Sequence, residues 1–177
     1  MRFKIRQEMI IDYLQTEKLV QQAFNEVEMS DQSEHILVAA LRKGAAFVPE
    51  LSLLAEVDGE LAGHLLLTRQ VIRGAEGEEV ETLALAPISV VPTAQGLGIG
   101  SRLIEAGLAQ ARRLGFQSVF VLGHPDYYSR FGFKPASIWG IQAEFDVPDE
   151  AFMGLELVEG SLEEAKGILV YSAEFHG

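Results

Sequence analysis

The sequence contains no cysteine, which excludes disulfide scaffolds, cysteine nucleophiles, iron–sulfur clusters and thiol redox sites. The four histidines have no metal-ligand spacing, so we expect no metal; they are His35, His64, His124 and His176. The first 15 residues carry five charges and hold no apolar signal-peptide core. No apolar run reaches the ~18 residues of a membrane-spanning helix. We therefore expect a cytoplasmic protein with no metal and no membrane partner.

Basic residues are also scarce, since 14 Lys and Arg stand against 26 Asp and Glu, a net charge of −12. This balance argues against nucleic acid as a partner, because such binding depends on Lys and Arg. Residues 141–177 hold nine acidic side chains and one basic side chain, Lys166. Two interpretations stay open for this acidic tail: a solvated outer surface, or a field that attracts a cationic substrate. The length of 177 residues predicts one domain over 1–177.

Local patterns in the first half of the chain predict a strand, two helices and a hairpin. Phe3–Arg6 alternates like a strand. A helix follows from apolar residues near helical spacing: Ile10, Ile11, Leu14, Leu19, Val20, Ala23 and Phe24. Ser33 is the expected cap of a second helix that ends near Gly44. Two strand-like runs, 51–57 and 61–72, flank Asp58-Gly59, a dipeptide typical of two-residue hairpin turns.

The middle of the chain has the pattern of a βαβ unit. Val80–Val91 is a nearly continuous apolar run and predicts a buried central strand. Pro87 within it and Pro92 directly after it predict that the strand bulges or splays from a neighbour near its end. Three glycines at 96, 98 and 100 precede a helix that ends at Gly115, and Ser118–Leu122 is the next strand. Beyond it we expect a short helix at 126–130 and strands within 138–145, 151–158 and 167–175.

The glycine turn, Gln95-Gly96-Leu97-Gly98-Ile99-Gly100, lies between a strand and the start of a helix. Helix N-termini present unpaired N–H groups and a positive dipole end, so such a turn suits a pyrophosphate. A dinucleotide fingerprint would need a further glycine where Ser101 or Leu103 stands, and a P-loop would need Gly-Lys-Ser/Thr. A tight turn that binds no ligand remains the alternative.

Two motifs together resemble the GNAT superfamily of N-acetyltransferases. Gln95-x-x-Gly98-x-Gly100, after a strand that ends Val90-Val91-Pro92, is similar to the acyl-CoA pyrophosphate turn of that family. About thirty residues further on, Tyr128-Ser129-Arg130-Phe131-Gly132-Phe133 resembles the family's Tyr-x-x-x-Gly-Phe segment. The stretch Val147–Phe152 looks like an uncharacterised bacterial acetyltransferase branch.

The resemblance implies an α/β (α+β) fold, with a mixed, twisted central β-sheet flanked by helices. Its parallel strands Val80–Val91 and Ser118–Leu122 splay apart to admit acetyl-CoA, and the strands within 135–177 complete the sheet or the acceptor side. The implied cofactor-binding residues are Ser89, Val90, Val91, Gln95, Gly96, Leu97, Gly98, Ile99, Gly100 and Ser101. The arginines expected to support the CoA phosphates are Arg102, Arg112, Arg113 and Arg130.

The activity implied is direct attack of a primary amine on the thioester of acetyl-CoA, with Tyr128 protonating the CoA thiolate. A backbone N–H near Val90 is the expected oxyanion donor. The general base is either Glu81 or His124 acting through water, and Glu26 and Glu28 are further candidates.

The acceptor classes left open are small amines, aminoglycosides, amino acids, polyamines, protein N-termini and lysines. The family also suggests a homodimer through the C-terminal strands. The alternative function is a non-catalytic acyl-CoA-binding sensor or interaction module. An α/β-hydrolase is excluded because Gly-x-Ser-x-Gly is missing and Ser89 precedes Val90-Val91.

Overall fold

The computed structural model describes residues 1–28 and 30–176, which form nine strands and four α-helices. In chain order they are β1 (Phe3–Gln7), α1 (Tyr13–Phe24), α2 (Glu34–Leu41), β2 (Phe47–Val57), β3 (Glu60–Arg73), β4 (Glu79–Val90), α3 (Ile99–Arg113), β5 (Ser118–Leu122), α4 (Pro125–Tyr128), β6 (Lys134–Pro135), β7 (Ile141–Ala143), β8 (Phe152–Glu156) and β9 (Gly167–Val170). None of the helices in the described ranges is long and apolar enough to cross a membrane.

The chain divides into two compact units, and β3 and β4 contribute residues to both. The first unit consists of Met1–Thr68 and Ala86–Gln110. Its strands lie in the order β1-β2-β3-β4, and β2 is antiparallel to both β1 and β3. Asp58 and Gly59 join β2 to β3 with φ angles of 53° and 84°, which confirms the predicted hairpin turn.

Helices cover both faces of the sheet in the first unit. Gly63 and Leu65 point toward α3, since an ideal Cβ at Gly63 would lie 3.0 Å from Leu103 and one at Gly107 would lie 2.6 Å from Leu65. Successive strand residues face opposite sides, so His64 points away from α3. His64 is linked through Ser52 and Glu8 to Arg42, directly after α2, so α2 lies at the opposite face. The first unit is therefore layered helix, sheet, helix.

The N-terminal helices depart from the sequence prediction at two points. Leu19 and Val20 are buried as expected, but Ile10, Ile11 and Leu14 are 79%, 90% and 73% exposed. Residues 10–12 form a 3₁₀ turn rather than the first turn of α1, which rotates Ile10 and Ile11 out of the apolar stripe; Leu14 lies in α1 itself and is exposed. Ser33 occupies the N-cap position of α2, but its side chain makes no capping hydrogen bond, because its hydroxyl donates to Asp31 instead.

The second unit consists of Arg69–Leu85 and Ala111–His176. Its strands lie in the order β4-β5-β8-β6, and β9 pairs with both β3 and β7. β4 and β5 run parallel, with Leu83 opposite Val119 and Ala84 opposite Phe120, which confirms the predicted βαβ unit. β5 and β8 are antiparallel from Ser118–Glu156 to Leu122–Phe152. The sheet is therefore mixed, as the family resemblance implies.

The core of the second unit is a cluster of apolar residues around Phe120 and Phe152, whose rings stack 5.4 Å apart. Gly154 of β8 allows this packing, since an ideal Cβ there would lie 2.7 Å from the Phe120 ring. The predicted strand at 138–145 is shorter than expected, because Ala136–Trp139 forms a 3₁₀ turn before β7. Gly132, with φ of 97°, ends the helical segment that begins at Pro125, as predicted.

Candidate active site

The glycine turn of the first unit leads directly from β4 into α3. Pro92–Ala94 forms one 3₁₀ turn, Gly96 and Gly98 have φ angles of 82° and 79°, and α3 begins at Ile99. A Cβ at Gly96 or Gly98 would meet no atom within 4 Å, so glycine is required here by backbone conformation rather than by crowding. The turn thus leaves open space over backbone N–H groups at the positive end of a 15-residue helix, a geometry suited to an anion.

Hydrogen bonds fix this turn to the end of β4. The Val91 N–H donates to the Ala62 carbonyl of β3 at 2.9 Å, and the Ala94 N–H donates to the Val91 carbonyl at 3.0 Å. The Gln95 side-chain amide lies 3.4 Å from the Val90 carbonyl oxygen. Gln95 therefore helps to hold the turn. Arg102 lies in the first turns of α3, with its guanidinium 4.7 Å from the centre of the Phe3 ring.

Ser89 is the buried polar residue of this segment. Its side chain is 2% exposed, and Oγ has no hydrogen-bond partner among the described residues. Its carbonyl oxygen lies 3.0 Å from the ideal Cβ position of Gly63, so β3 and β4 are in close contact here. A buried hydroxyl without a partner costs free energy, which a ligand or water that supplies the missing hydrogen bond offsets.

A cleft of about 470 Å³ opens beside the end of β4 in the first unit. Val91, Pro92 and Thr93 form one wall, and the end of α1 and the residues after it form the other, with Gln22, Asn25 and Glu26. Glu26, one of the predicted base candidates, therefore lines a cleft that contains the predicted cofactor residue Val91. The cleft offers amide and carboxylate groups to a hydrogen-bonding, positively charged ligand.

Tyr128 is positioned in the second unit by close packing. It is 8% exposed, and its ring packs edge-on against Tyr127 at 5.0 Å and Phe133 at 5.8 Å. Its N–H donates to the His124 carbonyl at 3.1 Å. An ideal Cβ at Gly123 would lie 2.3 Å from the Tyr128 ring, so only glycine allows this ring position. Burial, and less strongly the charge of Tyr127, raise the pKa of Tyr128 to about 12, which keeps the phenol protonated at neutral pH.

The two predicted bases are both exposed. Glu81 lies near the start of β4, where its side chain is 61% exposed and a carboxylate oxygen is 3.9 Å from Arg69 Nε. His124 is the exposed N-cap residue of α4, and its carbonyl accepts the N–H groups of Tyr127 and Tyr128. Their assignment as bases stays a prediction.

Arg130, one of the arginines expected to support the CoA phosphates, stacks its guanidinium over the Tyr127 ring at 4.6 Å.

Sequence reasoning missed a buried polar cluster in the first unit, formed by Glu8, Arg42, Ser52 and His64. Ser52 Oγ lies 2.7 Å from Glu8 Oε1 and 2.9 Å from His64 Nε2. Arg42 donates to Glu8 at 2.7 Å. No local motif marks these residues, because they come from parts of the chain up to 56 positions apart and only the fold brings them together.

Comparisons with known proteins agree with this description. The model of the acetyltransferase (GNAT) family matches residues 12–133. The chain is 44% identical over 115 residues to the uncharacterized N-acetyltransferase YjhQ of Escherichia coli K12, a match covering 64% of this chain and 63% of that protein. This alignment thus spans less than two thirds of YjhQ.

Two solved structures match nearly the whole chain. A GNAT family acetyltransferase from Brucella melitensis, in complex with acetyl-CoA, is 34% identical with a TM-score of 0.80 and 98% coverage of both chains. The N-acetyltransferase YhbS from E. coli, in complex with CoA, is 26% identical with a TM-score of 0.88, covering 99% of this chain and 93% of that one.

Proposed function

Because the chain belongs to the acetyltransferase (GNAT) family, we propose that it transfers the acetyl group of acetyl-CoA to a primary amine. The observation that carries the proposal is the open glycine turn at Gly96 and Gly98, which leads into the N-terminus of α3. The matched E. coli and Brucella structures, bound to CoA and acetyl-CoA, support acetyl-CoA as the cosubstrate.

The backbone of the glycine turn holds the pyrophosphate of acetyl-CoA. The N–H groups at the start of α3 supply hydrogen bonds and the positive end of the helix dipole, so two negative phosphates bind in a chain with a net charge of −12. Main-chain groups of Ser89, Val90 and Val91 at the end of β4 pair with the pantetheine amides in the manner of an added strand.

The chemical step is a direct transfer without an acyl-enzyme. The neutral amine nitrogen attacks the thioester carbonyl carbon, a C–N bond forms and the C–S bond breaks. The amine gives up one proton, and the leaving thiolate takes one from the Tyr128 hydroxyl. Because the pKa of Tyr128 is raised to about 12, the phenol keeps its proton until the thiolate forms. A backbone N–H near Val90 stabilises the oxyanion of the tetrahedral intermediate.

The acceptor we propose is a cationic amine that deprotonates on binding. The cleft beside Val91 presents Glu26 with the side-chain amides of Gln22 and Asn25, which can bind an ammonium group and neighbouring polar atoms. Residues 141–177 carry a net negative charge, which also attracts a cationic amine.

The test is a panel of small amines, amino acids, polyamines, aminoglycosides and peptides, assayed with acetyl-CoA by release of the free CoA thiol. Release that depends on one amine class supports acetyl transfer. Tight binding of acetyl-CoA without release above the hydrolysis background for any amine favours the non-catalytic acyl-CoA sensor instead.

A further inference from the structure

The buried cluster of Glu8, Arg42, Ser52 and His64 is a directional chain of hydrogen bonds. The Glu8 carboxylate accepts hydrogen bonds from Arg42 Nη2 and Ser52 Oγ, both at 2.7 Å. The single hydroxyl hydrogen of Ser52 is used in this bond. At the 2.9 Å contact between Ser52 and His64, the ring nitrogen Nε2 must therefore donate. The cluster fixes His64 as the tautomer with its hydrogen on Nε2 and a lone pair on Nδ1.

His64 Nδ1 has no hydrogen-bond partner among the described residues, although the side chain is completely buried. Leaving a buried acceptor unsatisfied costs free energy, because its hydrogen bonds to water are lost on folding. Burial is also the main reason that the pKa of His64 is lowered to about 4; the Glu8 charge raises it and the Arg42 charge lowers it. At neutral pH the ring is uncharged, so its free nitrogen can accept a hydrogen bond, and it can take up a proton only as the Nε2 hydrogen leaves.

The position of His64 connects it to the proposed acetyl-CoA segment. His64 lies on β3 two residues after Ala62, whose carbonyl accepts the Val91 N–H, and one residue after Gly63, whose ideal Cβ position lies 3.0 Å from the Ser89 carbonyl oxygen. Its side chain points away from α3, toward the face where Arg42 bridges Glu8 and Glu17 of α1. The end of α1 lines the cleft beside Val91.

We propose that His64 positions a water that accepts the proton of the acceptor amine, and that the His64–Ser52–Glu8 chain takes up that proton. The inference rests on the proposed acetyl transfer. The amine proton reaches Nδ1 through the water, the Nε2 hydrogen passes to Ser52 Oγ, and the Ser52 hydrogen passes to the Glu8 carboxylate. His64 ends neutral with its hydrogen on Nδ1, and Glu8 ends as a carboxylic acid. Arg42 keeps Glu17 as its counter-ion, at 2.7 Å, after Glu8 is neutralised.

The substitution His64→Gln separates this role from a structural one. The glutamine amide nitrogen can replace Nε2 as the donor to Ser52, but nothing replaces the basic Nδ1. With the acceptor identified in the amine panel, we expect kcat/KM at pH 7 to fall roughly 10²-fold, the usual scale for loss of general-base catalysis. The loss should shrink as the pH approaches the pKa of the amine, and it should be smaller for acceptor amines of lower pKa, because less of the amine then needs deprotonation.

The matched control is Ser118→Ala, which removes another buried hydroxyl with a side-chain partner, Thr82 at 2.6 Å, in the second unit. We expect it to keep the wild-type pH profile. A His64→Gln enzyme with wild-type kcat/KM from pH 6 to pH 9, or with one constant loss for every pH and amine, would overturn the relay. A wild-type enzyme that acetylates no amine would instead overturn the proposed function itself, and the relay with it.

A second measurement does not depend on a folded variant. In wild-type protein labelled with ¹⁵N in histidine, the side-chain resonances of His64 should show a neutral ring at pH 7 with its hydrogen on Nε2. The Nδ1 resonance should move when acetyl-CoA and a non-reacting analogue of the amine bind together. A hydrogen on Nδ1 in the free protein, or an Nδ1 resonance unmoved by both ligands, contradicts the inference.

Discussion

At the scale of single residues, the proposed proton transfer depends most on the hydroxyl of Tyr128. Packing against Tyr127, Phe133 and Gly123 fixes the ring, so removing only the hydroxyl leaves these ring contacts in place. We expect Tyr128→Phe to lower kcat roughly 10²-fold while the Kd for acetyl-CoA stays unchanged, because proton donation acts on the leaving group and not on cofactor binding. The matched control is Tyr127→Phe, which should keep wild-type kcat. Full activity of Tyr128→Phe would show that Tyr128 is not the acid that protonates the CoA thiolate.

His64 also makes a prediction about stability. Its pKa is lowered from the usual 6.5 to about 4 in the folded protein, so the unfolded chain binds the proton first as the pH falls. The stability due to the neutral ring is therefore complete above about pH 6.5 and is lost as the pH falls toward 4. We expect the free energy of unfolding of the wild type to fall by about 2 kcal/mol more than that of His64→Gln between pH 7 and pH 5.

Urea unfolding of both proteins at the two pH values measures this difference. Parallel losses in the two proteins would show that His64 titrates normally in the folded state. The comparison between variants removes the contributions of the carboxylates that both proteins share.

At the scale of elements, we propose that the junction of β4 and α3 binds the cofactor. Gly98 has a φ of 79° and open space around it, so valine at this position costs about 1–2 kcal/mol of backbone strain and places a branched side chain over the anion-binding amides. Gly77, with φ of 86° and equally open surroundings, lies in the turn between β3 and β4. It is the matched control for the strain.

We expect Gly98→Val and Gly77→Val to lower the melting temperature by similar amounts, while only Gly98→Val weakens acetyl-CoA binding, by at least ~10-fold or about 1.4 kcal/mol. Isothermal titration calorimetry at one ionic strength measures both affinities. Equal affinities in the two variants would show that the turn does not hold the cofactor.

The elements that could be predicted from sequence are those with local signals. Asp58-Gly59 specifies its hairpin through two left-handed residues, and the apolar runs of β4 and β5 mark strands that are buried on both faces. The Tyr128 segment begins at Pro125 and ends at Gly132. Proline fixes its own φ angle for a helix start, and glycine adopts the left-handed conformation that ends a helix, so both signals are local.

Other features depended on contacts that are distant in sequence. The spacing of Ile10 and Ile11 fits the apolar stripe of a helix. They lie in a 3₁₀ turn instead, which points their side chains away from that stripe, and they are exposed. The cluster of Glu8, Ser52 and His64 joins residues of three different strands or strand ends. No periodicity in a single segment indicates which of its polar residues will meet after folding, so this part of the site could be found only in the structure.

At the scale of the whole molecule, the charge distribution is consistent with the cationic acceptor that we propose. Residues 100–134 contain five basic and two acidic side chains, whereas residues 141–177 contain nine acidic side chains and one basic side chain. Some of these acids have structural partners: Glu144 accepts the Tyr171 N–H at 2.8 Å, and Glu156 accepts the Leu162 N–H at 2.8 Å. The remaining negative field attracts cations over about one Debye length, ~10 Å at 0.1 M salt.

We therefore expect the KM for a cationic acceptor to rise several-fold when the ionic strength increases from about 0.01 M to 0.15 M, since salt shortens the range of this field. The kcat should stay constant, because the bound amine is shielded from bulk ions. Initial rates at saturating acetyl-CoA measure both constants. A KM that does not change with salt would show that residues 141–177 form a solvated surface and do not attract the acceptor.

The proposed transfer of an acetyl group from CoA to an amine can be followed in the product itself. Acetyl-CoA with a deuterated acetyl group is incubated with the best acceptor of the amine panel, and the products of wild type and Gly98→Val are analysed by mass spectrometry. We expect one deuterated acetyl group on the amine nitrogen, equimolar with released CoA, and at least ~10-fold less product from the variant when acetyl-CoA is below saturation. Acetyl-CoA that binds and remains intact, or release of free acetate with an unmodified amine, would contradict the proposed transfer.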